Sequence, residues 1–88
     1  MNKSIKKGYN NRIEYTLNGQ LHRVDGPAIE YISGTKVWYL NGQLHREDGP
    51  AIECADGYKK WWINGKKLTE KKFNRTIKFS SVVLRNII

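Results

Sequence analysis

The dipeptide Asn-Gly occurs at positions 18–19, 41–42 and 64–65 of this 88-residue chain, so that consecutive copies are 23 residues apart. A type I′ turn requires positive φ at both central residues, and Asn-Gly is the pair that favours it most strongly. Apolar or β-favouring residues flank each pair, which predicts three β-hairpins with two-residue loops. A hairpin that recurs at a fixed interval restricts the fold to a serial repeat.

Two near-identical segments define the repeat unit. Unit one covers residues 15–37 and unit two covers residues 38–60, with 15 of 23 aligned positions identical. Unit three begins at Trp61 and loses the pattern after WWINGKK. Units one and two share the string LNGQLHRxDGPAIE, where x is Val24 in one and Glu47 in the other. Proline cannot donate to a sheet ladder, so Asp-Gly-Pro predicts a bend, and Ala-Ile-Glu after it predicts another strand.

The alternation of side chains along the strands predicts two faces of a sheet. The first aromatic position of each unit lies on one face and the next position on the other: Tyr15, Trp38 and Trp61, against Thr16, Tyr39 and Trp62. Thr69 is a candidate N-cap, and the spacing of Phe73 and Ile77 predicts an amphipathic helix from about Glu70. The sequence leaves open whether residues 76–88 are helix or strand.

These patterns together predict a mainly β, small α+β protein. An antiparallel meander of β-hairpin repeats forms one elongated twisted sheet, and a C-terminal helix caps it. Residues 1–88 are predicted to form a single domain, with a basic segment at 1–12, the repeats at 13–68 and a basic cap at 69–88. The net charge is +8, and it divides into +4 for residues 1–12, −4 for 13–58 and +8 for 59–88.

Composition narrows the cellular setting. Cys54 is the single cysteine, which excludes an internal disulfide framework. No stretch approaches the roughly 18 apolar residues of a membrane span, and the basic N-terminus has no apolar run behind it as a signal peptide would. The sequence therefore predicts a soluble, cytoplasmic protein, in the host cytoplasm if it is viral.

The repeat resembles the MORN repeat, which also has a period of 23. The matching residues are Tyr39, Gly42, His45 and Gly49 in unit two, and Thr16, Gly19, His22 and Gly26 in unit one. The second glycine comes one residue late, and the Arg-x-Asp-Gly-Pro-Ala extension is more similar to the MORN-variant repeats of bacteriophages and large DNA viruses. The resemblance covers about residues 9–75. It implies serial hairpins in one elongated sheet and a structural or interaction role, and a lipid-binding role is claimed for some members.

The polar residues of the repeat are predicted to be structural. His22 and His45 have no second ligand at metal-binding spacing. Arg23 and Arg46 each precede an aspartate by two residues, which predicts local ion pairs and leaves a direct ligand role as the alternative. Glu30 and Glu53 could form a glycosidase-like carboxylate pair, but repetition alone generates such a pair.

No nucleophile motif and no phosphate-binding glycine loop is present. The sequence thus predicts no enzyme activity, no metal and no cofactor.

Two binding functions remain. The favoured hypothesis is a viral-type protein-interaction module that docks onto and modulates a host or viral protein, such as a nucleic-acid-handling or defence protein. Its candidate contacts are Tyr39, Trp62, Arg23, Arg46, Lys59 and Lys60. The alternative is direct nucleic-acid binding through the basic C-terminal third, because lysines interleaved with aromatic rings can hold phosphates and stack bases. Its candidates are Lys59, Lys60, Trp62, Lys66, Lys67, Lys71, Lys72, Arg75 and Lys78.

An anionic membrane is a weaker hypothesis than either partner. Open strand edges also suggest a homo-oligomer.

Overall fold

The structure, a computed structural model, describes residues 3–87, with side chains described up to residue 78. Within that range the chain forms ten β-strands followed by one α-helix. The elements are β1 (Ile5–Gly8), β2 (Arg12–Leu17), β3 (Gln20–Leu21), β4 (Ile29–Tyr31), β5 (Lys36–Val37), β6 (Tyr39–Leu40), β7 (Gln43–Leu44), β8 (Ile52–Glu53), β9 (Lys59–Ile63), β10 (Lys66–Leu68) and α1 (Glu70–Ile87). The predicted fold class, a mainly β antiparallel meander with a C-terminal helix, is confirmed.

The strands follow the repeat. Unit one contains the second half of β2 together with β3, β4 and β5, and unit two contains β6, β7 and β8. The hairpin of β9 and β10 starts with the last two residues of unit two and continues in unit three. The strand β2 is continuous, whereas its equivalent one repeat later is interrupted at Trp38 and consists of β5 and β6. The backbone bonding is nevertheless equivalent, since Tyr15 donates to Ala28 and Trp38 donates to Ala51, each at 2.8 Å.

All strand pairs are antiparallel. Seven strands of the main sheet lie in the order β1-β2-β4-β5-β8-β9-β10, β3 pairs with β2, and β6 with β7 forms a separate two-stranded sheet. The N-terminal segment 1–12, for which the sequence predicted only a basic charge, therefore contributes an edge strand, β1. All four residues of β1 are exposed.

The hairpins stack side by side through backbone hydrogen bonds. The Arg23 N–H donates to the Tyr39 carbonyl at 3.1 Å, and the Gly42 N–H donates to the Leu21 carbonyl at 2.9 Å. The same pair of bonds recurs one unit later, from Arg46 N–H to Trp62 at 3.2 Å and from Gly65 N–H to Leu44 at 2.9 Å. The two-stranded sheet of β6 and β7 is thus joined to the hairpins on both sides of it.

The three Asn-Gly turns have the predicted geometry. Positive φ is found at both central residues of each turn: Asn18, Asn41 and Asn64 at 54°, 52° and 50°, and Gly19, Gly42 and Gly65 at 79°. Asparagine and glycine tolerate this left-handed region, so the residue pair fixes the loop length and the register. In the third hairpin this register pairs Trp61 with Leu68.

The molecule is too thin for a conventional two-layer core. Its principal extents are 45 × 35 × 17 Å. Among the described side chains, the buried apolar residues are Ala28, Ile29, Val37, Ala51 and Phe73, and no large side chain is fully buried. The aromatic residues of the sheet must therefore be covered by something other than a second apolar layer.

Helix α1 begins as predicted. Thr69 is the N-cap, because its Oγ1 accepts a hydrogen bond from the Lys72 N–H at 3.1 Å. Phe73 is 4% exposed, and its ring centroid lies 6.5 Å from that of Trp61 at an interplanar angle of 47°. The helix thus packs on the Trp61 side of the sheet. Its backbone continues to Ile87, which answers the question left open for residues 76–87 in favour of helix; residue 88 lies outside the described residues.

Candidate functional site

The arginine of each complete unit lies flat on the aromatic ring of the same unit. The Arg46 guanidinium carbon is 3.7 Å from the Trp38 ring centroid, and that of Arg23 is 3.8 Å from the Tyr15 ring centroid. A guanidinium over an aromatic face is attracted by the ring quadrupole. These cations provide the cover that the thin fold requires.

A glycine lies close to each guanidinium. A Cβ placed on Gly49 would lie 3.0 Å from Arg46 Cζ, and one placed on Gly26 would lie 3.1 Å from Arg23 Cζ. A side chain at the glycine of Asp-Gly-Pro would therefore make the arginine shift. The aromatic ring and the glycine both lie close to the guanidinium.

Two carboxylates and a carbonyl satisfy the same guanidinium. Arg46 donates from Nε to Asp48 at 2.8 Å, and from Nη1 to Glu53 at 2.7 Å and to the Pro50 carbonyl at 3.1 Å. The hydrogen bond from Arg46 holds the pKa of Asp48 below its usual value. The predicted arginine–aspartate pair is confirmed, whereas the second pair, with Glu53, was not predicted.

Unit one has the same network. Arg23 donates to Asp25 at 3.1 Å, to Glu30 at 2.9 Å and to the Pro27 carbonyl at 3.1 Å. Glu30 and Glu53 are therefore engaged by arginine in the two units. The shared string encodes one arginine-centred clamp, defined here as the arginine, its aromatic ring, the glycine and the two carboxylates.

The histidines join one unit to the next. The Asn41 N–H donates to His22 Nδ1, and the Asn64 N–H donates to His45 Nδ1, each at 2.9 Å. Both histidines are 8% exposed. Because Nδ1 accepts, it carries no proton in this contact, and the ring proton lies on Nε2. In unit two that Nε2 lies 3.0 Å from Glu47 Oε2, a partner that Val24 cannot supply to His22.

Four of the contact residues predicted from the sequence lie in the repeat body, and all four are partly buried. Arg23 and Arg46 are half-buried and engaged in the clamps. Tyr39 and Trp62 are also half-buried. The Trp62 Nε1 atom is buried without a hydrogen-bond partner among the described residues.

The basic residues of the C-terminal third are placed differently. All eight of those named as candidates are exposed: Lys59, Lys60, Lys66, Lys67, Lys71, Lys72, Arg75 and Lys78. Within the part of the chain that the structure describes, the ion pairs use only Arg12, Arg23, Arg46 and His45 on the basic side. The cations of the third unit and helix are consequently free of internal carboxylates there.

Three of these lysines surround a groove of about 440 Å³, which we call the terminal groove. It is lined by Tyr58, Lys59, Lys60, Trp61, Lys67, Leu68, Thr69 and Glu70, and its lining is mostly apolar. The structure therefore brings Lys59, Lys60 and Lys67 together. Trp62, which was grouped with them from the sequence, does not line this groove.

Tyr58 is the residue of the terminal groove that the sequence interpretation missed. Its side chain is 70% exposed, and it follows the turn at Asp56 and Gly57. The signal for it was present, because unit one has Thr35 at the aligned position. An aromatic residue that departs from the repeat and is not needed by it is a candidate for binding.

Two further findings concern other classes of site. Among the described residues, no group of three or more His, Cys, Asp or Glu side chains is arranged to hold a metal ion. In the same part of the chain, no helix has both the length and the apolar composition needed to cross a bilayer.

Comparison of the chain with protein-family models, with curated proteins and with solved structures gives no match. The resemblance to MORN-variant repeats therefore stays a prediction, carried by the spacing of Asn-Gly, histidine and Asp-Gly-Pro.

Proposed function

We propose that the chain is a non-enzymatic protein-interaction module that docks onto an acidic surface of a partner protein. The observation that carries the proposal is the division of charge along the chain. The arginines of units one and two are neutralised by Asp25, Glu30, Asp48 and Glu53. From Lys59 onward, the cations among the described residues are exposed and form no ion pairs there.

Complementary charge of this kind speeds association and selects partners. Because the histidines, arginines and glutamates of the repeat serve the fold, catalysis by them is not part of the proposal. The resemblance to viral MORN-variant repeats suggests that the partner is a host or viral protein, such as a nucleic-acid-handling or defence protein, in the cytoplasm.

Affinity capture tests the docking surface. The chain is immobilised and exposed to a lysate, with and without nuclease treatment. A variant with Lys59, Lys60, Lys66 and Lys67 changed to Gln is compared with a control in which Lys3, Lys6, Lys7 and Lys36 are changed to Gln. Both remove four positive charges from exposed positions.

We expect the first variant to lose the captured protein and the control to keep it, with no effect of nuclease. Equal capture by the two variants would place the docking surface elsewhere. Loss of capture after nuclease treatment would show that a nucleic acid is the bridge.

Single-stranded nucleic-acid binding is a second candidate, and the exposure of Tyr58 next to Lys59 and Lys60 favours it. An exposed ring flanked by cations can stack a base while the lysines hold phosphates. Gel shifts at about 50 mM and about 200 mM salt test it, because binding through phosphates weakens steeply with salt. No shift of either single- or double-stranded nucleic acid at the lower salt removes this candidate.

A further inference from the structure

The terminal groove has one exposed aromatic wall and an apolar floor. Tyr58 forms the wall and is 70% exposed, whereas Trp61 and Leu68, which face each other across β9 and β10, form the floor and are half-buried. Trp61 is held by the buried ring of Phe73. A floor fixed by packing loses little conformational entropy when a ligand binds, which favours a preformed site.

Cations dominate the charged groups of the terminal groove. The Thr69 hydroxyl caps α1 by accepting from the Lys72 N–H. The rim carries Lys59, Lys60 and Lys67 against a single acid, Glu70. A ligand that fits must therefore present an apolar group at its centre and negative charges around it.

We propose that the terminal groove receives one aromatic or leucine side chain from an acidic peptide segment of the partner, with the neighbouring carboxylates held by the three lysines. The inference rests on the proposed protein-binding function and specifies the segment that is recognised. Anchoring by one apolar side chain in a pocket within a polar rim is how interfaces concentrate their binding energy.

The number of exposed rings separates this ligand from a nucleic-acid strand. A strand that binds without sequence preference stacks successive bases on successive aromatic platforms. Among the described residues from Tyr58 onward, Tyr58 is the exposed aromatic residue, since Trp61 and Trp62 are half-buried and Phe73 is buried. One ring matches one anchor side chain better than it matches a run of bases.

Two matched peptides and one oligonucleotide test the proposal on the full chain. Each peptide alternates Asp and Ser, and they differ only at the centre, where one has Phe and the other has Ser. The oligonucleotide is a single-stranded polythymidine of similar charge. Affinities are measured by fluorescence anisotropy at about 50 mM and about 500 mM salt.

The Phe peptide is expected to bind about 10-fold more tightly than the Ser peptide, because an apolar ring is removed from water. Higher salt should weaken both peptides and preserve their ratio, since screening acts on the charges alone.

Three variants locate the effect. Tyr58→Ser should remove the difference between the peptides, and the exposure of this ring means that the fold should survive, which thermal unfolding checks. Tyr9→Ser is the control, because Tyr9 is also exposed and lies under Lys7 and Arg12 but is outside the groove. Changing Lys59, Lys60 and Lys67 together to Gln should weaken both peptides and leave the ratio unchanged.

Each other outcome overturns the proposal in a distinguishable way. If the two peptides bind equally and the lysine variant binds neither, the apolar anchor is ruled out, while the proposed docking function stands. Binding of the oligonucleotide alone overturns both in favour of nucleic acid. A ratio that Tyr58→Ser leaves intact places the anchor outside the terminal groove.

Discussion

Trp38 and Trp61 occupy the same position in consecutive units, yet different chemistry covers them. Arg46 lies over Trp38 and is held there by Asp48 and Glu53. Phe73, from α1, packs against Trp61. Where arginine provides the cover, that arginine is paired with carboxylates of its own unit. Around the ring that Phe73 covers, the described lysines form no ion pair and remain available to a binding partner.

The largest effect is expected when the apolar cover of Trp61 is removed. Phe73→Ala should lower the free energy of unfolding by about 3–5 kcal/mol, because a buried ring is deleted and Trp61 is uncovered. Urea denaturation and the helical signal in far-ultraviolet circular dichroism measure the loss. Lys78→Ala, at an exposed position of the same helix, is the control and should change stability by no more than about 0.5 kcal/mol. If the two variants are equally stable, α1 does not cap the repeats.

The next test breaks the link between units. His45→Ala should cost about 1–2 kcal/mol, because the buried imidazole is deleted and the Asn64 N–H loses its acceptor in a part-buried contact. His22→Ala should have a similar cost through Asn41. His45→Asn offers an oxygen close to the Nδ1 position and should recover part of the loss in the same denaturation experiment. Histidine variants that keep full stability but lose binding would instead show a ligand role.

A smaller effect is expected from crowding the arginine-centred clamp. Gly49→Ala places a methyl group 3.0 Å from Arg46 Cζ, so the guanidinium must shift on the Trp38 ring. We expect a loss of about 1 kcal/mol and a change in tryptophan fluorescence. Gly8→Ala meets no atom within 4 Å and serves as the matched control. Identical behaviour of the two variants would mean that the clamp is not tightly packed.

The smallest effect concerns pH. Because the Arg46 hydrogen bond lowers the pKa of Asp48 in the folded chain, its stabilising contribution is present above the unfolded value of 3.8 and is lost as the pH falls through the folded value. Asp48 is exposed, so the contribution is about 0.5 kcal/mol or less. Asp48→Asn should reduce the fall in stability below about pH 4, as measured by thermal unfolding at stepwise lower pH. If the variant loses as much stability below pH 4 as the unchanged protein does, other carboxylates cause the loss.

The turns and the start of the helix were predictable because each depends on residues that are close together in the sequence. The Asn-Gly turns set the hairpin registers, and Thr69 sets the start of α1. Each depends on residues within a few positions of one another, so the spacing alone was sufficient.

The contacts across the repeat were not predictable in the same way. Glu53 reaches Arg46 only because the Asp-Gly-Pro bend folds the chain back, and His22 finds its donor 19 residues later at Asn41. The sequence interpretation correctly placed the histidines among structural residues, but it could not supply their partners. Tyr58 was missed although it departs from the repeat, because the sequence does not show that its side chain is exposed.

The histidine contact also gives the stack of hairpins a direction. Each complete unit offers a carbonyl and a ring nitrogen forward to the turn of the unit that follows. Unit three has Leu68 where the histidine would be, and α1 lies beyond it. Unit three therefore ends the series of histidine contacts, because it receives one from unit two and has no histidine to make the next. We expect a longer version of this protein to fold when a 23-residue copy is inserted upstream of Trp61, and not when one is added after Leu68.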